Sequence, residues 1–421
     1  MRILHISWEY PPLVYGGLGR HVHALAEAQA GQGHEVTVLT QQGPGAKSRE
    51  RMAGVDVLRV TPPTPEVPRD PDQLVAWVDL LDARMAEAAA SLVVTLQPDV
   101  VHAHDWVVGQ SAEAARRACP APLVATIHAT EAGRHQGWVT SGLSRRIHGA
   151  EYRIANQAQV VIACSRAMRA EVGILFHVPS ERIDVIPNGI DLDRWQVSDK
   201  DMATGADHWR AGTARVLFLG RLEWEKGIHT LLEAAAMLAD DPNRKLELLV
   251  AGTGTYQATL QEQARDLIQS STVTFCGWVP EQELRELTAT AHLVVVPSLY
   301  EPFGLVALEA GALGVPLVVA DRGGLDDIVT DAQTGRTFAA GDANELADTM
   351  RSQLDDRAAA DAMATRLSSQ LGDKFDWSVI ANKTIATYAR AIAAAAVNPR
   401  PLGVFDPAPS DDNLLTPRTD S

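Results

Sequence analysis

At 421 residues, 46% of them hydrophobic, the chain is long enough for two α/β units and apolar enough to give each a core. Its formal net charge of −16 argues against nucleic acid and anionic membranes as partners, since no dense basic run offsets the repulsion from phosphate. Cys119, Cys164 and Cys276 lie far apart without a CxxC, which argues against a disulfide framework or structural zinc and fits a reducing cytosol.

The N-terminus MRILHISWEYPP runs straight into a strand, with no basic region ahead of an apolar stretch, so no signal peptide is expected. No run reaches the ~18 uncharged apolar residues of a membrane span, and a cytoplasmic location is expected. Ile3 to Ser7 reads as the first strand, followed by a Pro- and Gly-rich turn over 11–19. A helix then places Leu18, Val22, Leu25 and Ala26 on one face, at helical spacing. Further apolar strands are expected at 35–40, 55–60, 99–104, 123–128, 159–163 and 183–186, with long helices over 72–96 and 143–156. Val- and Ile-rich runs without polar alternation suit a parallel sheet covered on both faces. Residues 191–213 read as a linker. A second series of strands follows at 215–219, 245–251, 273–275, 292–297 and 316–320, with helices at 229–238, 256–268, 281–289 and 305–313. Two such series predict an α/β fold of two doubly wound, Rossmann-like domains facing each other across a cleft, covering 1–190 and 214–375. Alanine-rich helices fill 344–370 and 379–396. The tail over 398–421, rich in Pro, Asp and Ser, is expected to be disordered.

Open α/β sheets bind ligands beyond the carboxyl ends of their strands, so the loops there carry the chemistry. Gly16, Gly17, Leu18 and Gly19 open a helix after the first strand. Glycines there let a phosphate approach the backbone, although a plain tight turn fits equally well. Gly220 to Gly227, GRLEWEKG, follows the first strand of the second series. Arg221 as a planar fork and Lys226 as a point charge can converge there on one diphosphate. In the stretch Glu301-Pro302-Phe303-Gly304-Leu305, running on to Glu309, Glu301 precedes a helix whose first amides at Gly304 and Leu305 are open. Glu309, read as about two turns into that helix, has the chemistry to hold ribose hydroxyls. His102 and His104 share one strand face, but the spacing shows no further His or Cys beside them, so no metal is expected. The DxD of Asp191-Leu192-Asp193 reads as a turn and helix start.

Together the GGLG loop, the GRL…KG loop, the two glutamates eight apart and Ile186-Pro187-Asn188-Gly189-Ile190-Asp191 resemble the retaining GT-B glycosyltransferases related to glycogen and sucrose synthases. The resemblance runs from residue 1 to about residue 390. SWEYPP before GGLGRHVH, and Thr126 to Arg134 (TIHATEAGR), look closest to actinobacterial α-1,4-glucosyltransferases. Glycogen synthases usually carry an acidic residue where Arg20 stands, a departure that this branch shares.

The resemblance implies roles. Arg221 and Lys226 would neutralise the diphosphate leaving group. Gly16, Gly17 and Leu18 would add amide donors, and Glu309 would bind the ribose. Glu301 would hold sugar hydroxyls, with Gly304 and Leu305 seating donor groups. His128 would hydrogen-bond the transferred sugar, while Asp105 and Trp106 would face the acceptor, with Trp138 a further candidate for stacking on sugar. A helix near 376–396 would cross back to the first domain. UDP- or ADP-glucose is then the expected co-substrate and an α-1,4-glucan the expected acceptor. Glucose, glucose 1-phosphate or a lipid-linked sugar are alternative acceptors, and a nucleotide-sugar epimerase is the alternative from another class. A Rossmann oxidoreductase is disfavoured, because no G-x-G-x-x-G follows a strand. Neither the nucleobase nor the oligomeric state is legible in the sequence.

Overall fold

The Val- and Ile-rich segments form parallel strands, with side chains on both faces buried under helices. The computed structural model describes residues 1–68, 70–196, 212–239, 245–267, 273–400 and 414–415. Much of the anticipated linker and of the anticipated disordered tail lies outside the described residues. By internal contacts the chain divides into Met1–Gly189 with the chain from Trp377 onward, and Ile190–Asp376.

The first unit carries β1 (Arg2–Ile6), β2 (Glu35–Gln41), β3 (Arg49–Met52), β4 (Val55–Val60), β5 (Val100–His104), β6 (Leu123–Ile127), β7 (Val160–Ala163) and β8 (Ile183–Val185). Their order in the sheet is β3-β4-β2-β1-β5-β6-β7-β8. All pairings are parallel except β3 with β4. Ala53 and Gly54, both at positive φ (44° and 85°), close that hairpin with the backbone twist a two-residue turn requires. β3, sequence RERM, has no apolar face, which suits an edge strand and explains why hydropathy gave no sign of it. Helix α1 (Gly17–Gly31) packs Val22, Leu25 and Ala26 into the core. The closing helix Trp377–Val397 adds Ile380, Ala381, Tyr388 and Ala391 to the same core. Gly189 meets the first residue of that helix so closely that a Cβ would lie 2.5 Å from the Trp377 ring.

The second unit carries β9 (Thr213–Leu219), β10 (Lys245–Ala251), β11 (Val273–Gly277), β12 (Leu293–Val296), β13 (Leu317–Ala320) and β14 (Arg336–Phe338). They are ordered β11-β10-β9-β12-β13-β14 and all parallel. Helices Ile228–Ala239 and Ala343–Asp355 bury Leu231, Leu232, Ala235, Leu346 and Met350 against the sheet. In each unit the strand order reverses beside the first strand: between β1 and β5 in one, between β9 and β12 in the other. That reversal opens a crevice at the carboxyl ends of the strands, where doubly wound folds hold ligands. Among the described residues no helix is long and apolar enough to cross a membrane.

Candidate active-site residues

The second unit's crevice is built from the two loops singled out in the sequence, and the structure fastens them together. The GRLEWEKG loop leaves β9 and the EPFG segment leaves β12. The amides of Leu299 and Tyr300 donate to the carbonyl of Glu225, at 2.8 and 3.2 Å. Gly227, at φ 67°, passes so close to the end of β12 that a Cβ would lie 1.9 Å from the carbonyl oxygen of Pro297. Lys226 Nζ then donates to Glu301 Oε2 at 2.8 Å, and Ser298 Oγ donates to the same oxygen at 3.0 Å. The pair is largely shielded from solvent, with Lys226 17% and Glu301 14% exposed, so it is a fixed part of the site. Arg221 differs: it is 56% exposed and pairs with Glu225 at 3.2 Å.

A second glycine pair supports Glu301 from below and was missed in the sequence. The amide of Gly324 donates to the Glu301 carbonyl at 2.8 Å. A Cβ on Gly323 would fall 2.0 Å from that same oxygen. Gly304 caps the helix Leu305–Ala312 at φ 106°, with Leu325 2.6 Å from where its Cβ would be. The amides of Gly304 and Leu305, at the start of that helix, have no intrahelical acceptor, whereas Ala307 already donates to the Gly304 carbonyl at 3.0 Å. Glu309 is 2% exposed. It stands one turn into the helix that begins at Leu305, not two.

In the first unit, Gly16 forms the N-cap of α1 in an extended conformation and Gly17 and Leu18 begin the helix. Glu9, which sequence reasoning passed over, organises this loop. Its buried carboxylate accepts the amides of Tyr15 at 2.8 Å and Gly16 at 3.1 Å, and also that of Gly19. Gly19 is required because a Cβ would sit 2.7 Å from Glu9 Oε2. So the Gly16 amide, expected to face a ligand, is already used inside the loop. Burial raises the pKa of Glu9, and the three amides oppose that shift. A carboxyl raised on folding contributes stability below its ordinary pKa and loses it as pH climbs through the raised value. Glu9→Gln removes this titration. Relative to wild type, the variant should therefore gain stability as pH rises from 4 to 8, by at most ~1.4 kcal/mol per pH unit. Urea unfolding at several pH values checks this; a pH-independent difference would contradict it.

Asp105, at φ 61°, ends β5 and accepts the His128 amide on Oδ1 at 2.7 Å. Burial pushes its pKa up to about 7, against the pull of that amide and of Arg134. Trp106 opens the short turn Trp106–Val108 and is partly exposed, whereas Trp138 is 49% exposed. His128 follows β6, and burial lowers its pKa to about 3, so the ring is a neutral imidazole at physiological pH.

His102 and His104 are not isolated, as the spacing suggested. Parallel pairing sets His5 of β1 beside His102 of β5, and α1 brings His21 over them while the β6 loop brings His128. Five imidazoles therefore meet at this unit's crevice. His5 Nε2 meets Gln29 Oε1 at 2.8 Å, His5 Nδ1 meets His104 Nε2 at 3.0 Å, and His104 Nδ1 meets His128 Nε2 at 3.3 Å. Both nitrogens of His102 are engaged, by Tyr388 Oη at 2.6 Å and Thr126 Oγ1 at 2.7 Å. Burial lowers all their pKa values, that of His5 to about 4.

Two family models match, Glycosyltransferase Family 4 over residues 15–194 and Glycosyl transferases group 1 over 206–369. The chain is 41% identical to the glycogen synthase of Mycobacterium tuberculosis, over 92% of this chain and 94% of that one. The chain belongs to the GT-B glycosyltransferases related to glycogen synthase. It is 34% identical to a D-inositol 3-phosphate glycosyltransferase of Frankia alni, covering 91% and 96% of the two chains. Among solved structures, sucrose-phosphate synthase from Thermosynechococcus elongatus superimposes with a TM-score of 0.78 at 26% identity, over 93% of this glycosyltransferase and 99% of that chain. The enzyme is thus a hexosyltransferase, and the epimerase alternative gives way to it.

Proposed function

We propose that this glycosyltransferase moves glucose, with retention, from UDP- or ADP-glucose to the non-reducing end of an α-1,4-glucan. The observation that carries the reading is the full-length similarity to a glycogen synthase, set on the Lys226–Glu301 pair at the second unit's crevice. Lys226 carries three donor protons; one goes to Glu301, which leaves two for diphosphate oxygens. Arg221, 56% exposed beside Glu225, adds a planar fork to the same charge. The amides of Gly304 and Leu305 offer donors to a donor oxygen, and Glu309 offers a buried acceptor for ribose hydroxyls. In the first unit the helix-start amides at Gly17 and Leu18 favour an anion. Neutral His128 holds a sugar hydroxyl, while Asp105 and Trp106 serve the acceptor side.

The acceptor hydroxyl attacks the anomeric carbon on the face from which the diphosphate leaves. The bond to the phosphate oxygen breaks, and that oxygen takes the hydroxyl proton. Cationic side chains meet the developing charge, so the transfer is proposed to need no metal, and activity should persist in chelator. Restoration of a chelator-lost activity by one divalent ion would overturn this point.

The acceptor is tested by nucleoside diphosphate release from UDP- and ADP-glucose, with and without maltooligosaccharides. Release that rises with the oligosaccharide and lengthens it is expected. The Frankia alni relative favours one second reading, a small phosphorylated polyol as acceptor. Stimulation by inositol phosphate and not by maltooligosaccharide would establish that one instead.

A further inference from the structure

Three of the five histidines present ring nitrogens to a common point. One ring nitrogen from each of His21, His104 and His128 lies within 4.8 Å of those of the other two. We propose that these three side chains form a binding site for a divalent ion of the zinc class, with a fourth coordination position open.

The argument rests on where each imidazole's other nitrogen goes. His21 Nδ1 meets Asn188 Oδ1 at 2.7 Å; an amide oxygen only accepts, so Nδ1 carries the proton and Nε2 is a bare lone pair. That Nε2 is buried and meets no hydrogen-bond partner, a costly state for a polar atom. The same logic runs down the second arm. Gln29 Oε1 accepts from His5 Nε2, so His5 Nδ1 accepts from His104 Nε2. His104 Nδ1 is therefore also a lone pair, facing His128. Two bare lone pairs thus belong to one buried cluster of ring nitrogens, and a cation would satisfy both.

A ligating histidine nearly always gives its second N–H to a fixed acceptor, which orients the ring and sets its tautomer. Asn188 does this for His21, and the His5–Gln29 chain does it for His104. The 3.3 Å between His104 Nδ1 and His128 Nε2 is long for a hydrogen bond. It equals the separation of two nitrogens each about 2.0–2.1 Å from a tetrahedral ion, which comes to about 3.3–3.4 Å. Three imidazoles without a carboxylate select zinc, nickel, cobalt or copper over magnesium or calcium. His128 is only partly buried and gives the ion a way in. The neighbouring trio of His5, His102 and His104 fails on both counts, being fully buried with both His102 nitrogens occupied.

Chelator-dialysed full-length protein should bind one equivalent of Zn²⁺ per chain. Co²⁺ at the same site should give the intense visible bands of a tetrahedral centre. His21→Asn and His104→Gln should each weaken Zn²⁺ binding at least ~10-fold, and so should Asn188→Ala, which removes an orienting partner. His23→Gln, on the outer part of α1, should leave it unchanged. Circular dichroism confirms that each variant is folded, and the wild-type stoichiometry and Co²⁺ spectrum do not depend on any variant. No stoichiometric binding to the wild type, or unaltered binding to folded His21→Asn, would overturn the site. If His128 also contacts the transferred sugar, as proposed above, Zn²⁺ should inhibit transfer. Stoichiometric binding without inhibition would support the site and count against that sugar contact.

Discussion

Lys226→Ala is expected to cut kcat/KM by about 10²–10³, the scale of losing one fixed group that meets charge developing in a transition state. Most of the loss should appear in kcat, because the diphosphate gains charge as the sugar leaves. The fold should survive, because Glu301 keeps Ser298 as a donor at 3.0 Å and its carboxylate is not left without a hydrogen bond. Arg221→Ala makes a useful companion. Arg221 is 56% exposed and bonded only to the near neighbour Glu225 among the pairs described, so its removal should leave the melting temperature alone and lower turnover. Steady-state kinetics with a glucose donor, alongside a thermal melt, separates the two readings of Lys226. Full turnover in folded Lys226→Ala would remove it from the leaving-group role and leave it a structural partner of Glu301.

What could be read from the sequence was what sequence spacing encodes locally. The buried parallel strands announced themselves as Val and Ile runs, and the glycine-rich loops followed them directly. Arg221, Lys226 and Glu301 were singled out because they sit in loops at strand ends, where the α/β rule directs attention. The edge strands β3 and β14 were not, since Arg49–Met52 and Arg336–Phe338 have no continuous apolar run. Glu9 was invisible for a different reason: its work is to accept three amides of a loop that folds back on it. The histidine cluster shows the limit most clearly. Spacing alone links His102 to His104, whereas His5 arrives by strand register, His21 by the packing of α1 and His128 through the neighbouring strand. No local pattern joins those four elements; only the sheet order does. Glu309 was correctly placed on a helix starting at Leu305, but it stands one turn into that helix and not two.

The join between the two loops of the second unit should tolerate substitution poorly, and Gly227→Ala tests it. At φ 67° the backbone already disfavours any residue with a Cβ. The added atom would also lie 1.9 Å from the Pro297 carbonyl oxygen and 2.9 Å from its carbon. Neither contact involves a side chain that could swing aside, so β12 or the helix at Ile228 must move. A destabilisation of about 2–5 kcal/mol is expected, from the ~1–3 kcal/mol of overpacking together with the ~1–2 kcal/mol of a left-handed residue carrying a Cβ. Gly16→Ala is the control, with an extended backbone at φ −164° and nothing within 4 Å of the new atom; it should melt like the wild type. Because Lys226 precedes Gly227 and its partner Glu301 follows the displaced strand end, whatever Gly227→Ala protein folds should also lose turnover. A wild-type melting temperature for Gly227→Ala would mean that the two loops are not held in contact in solution, and the fixed Lys226–Glu301 geometry would fall with that contact.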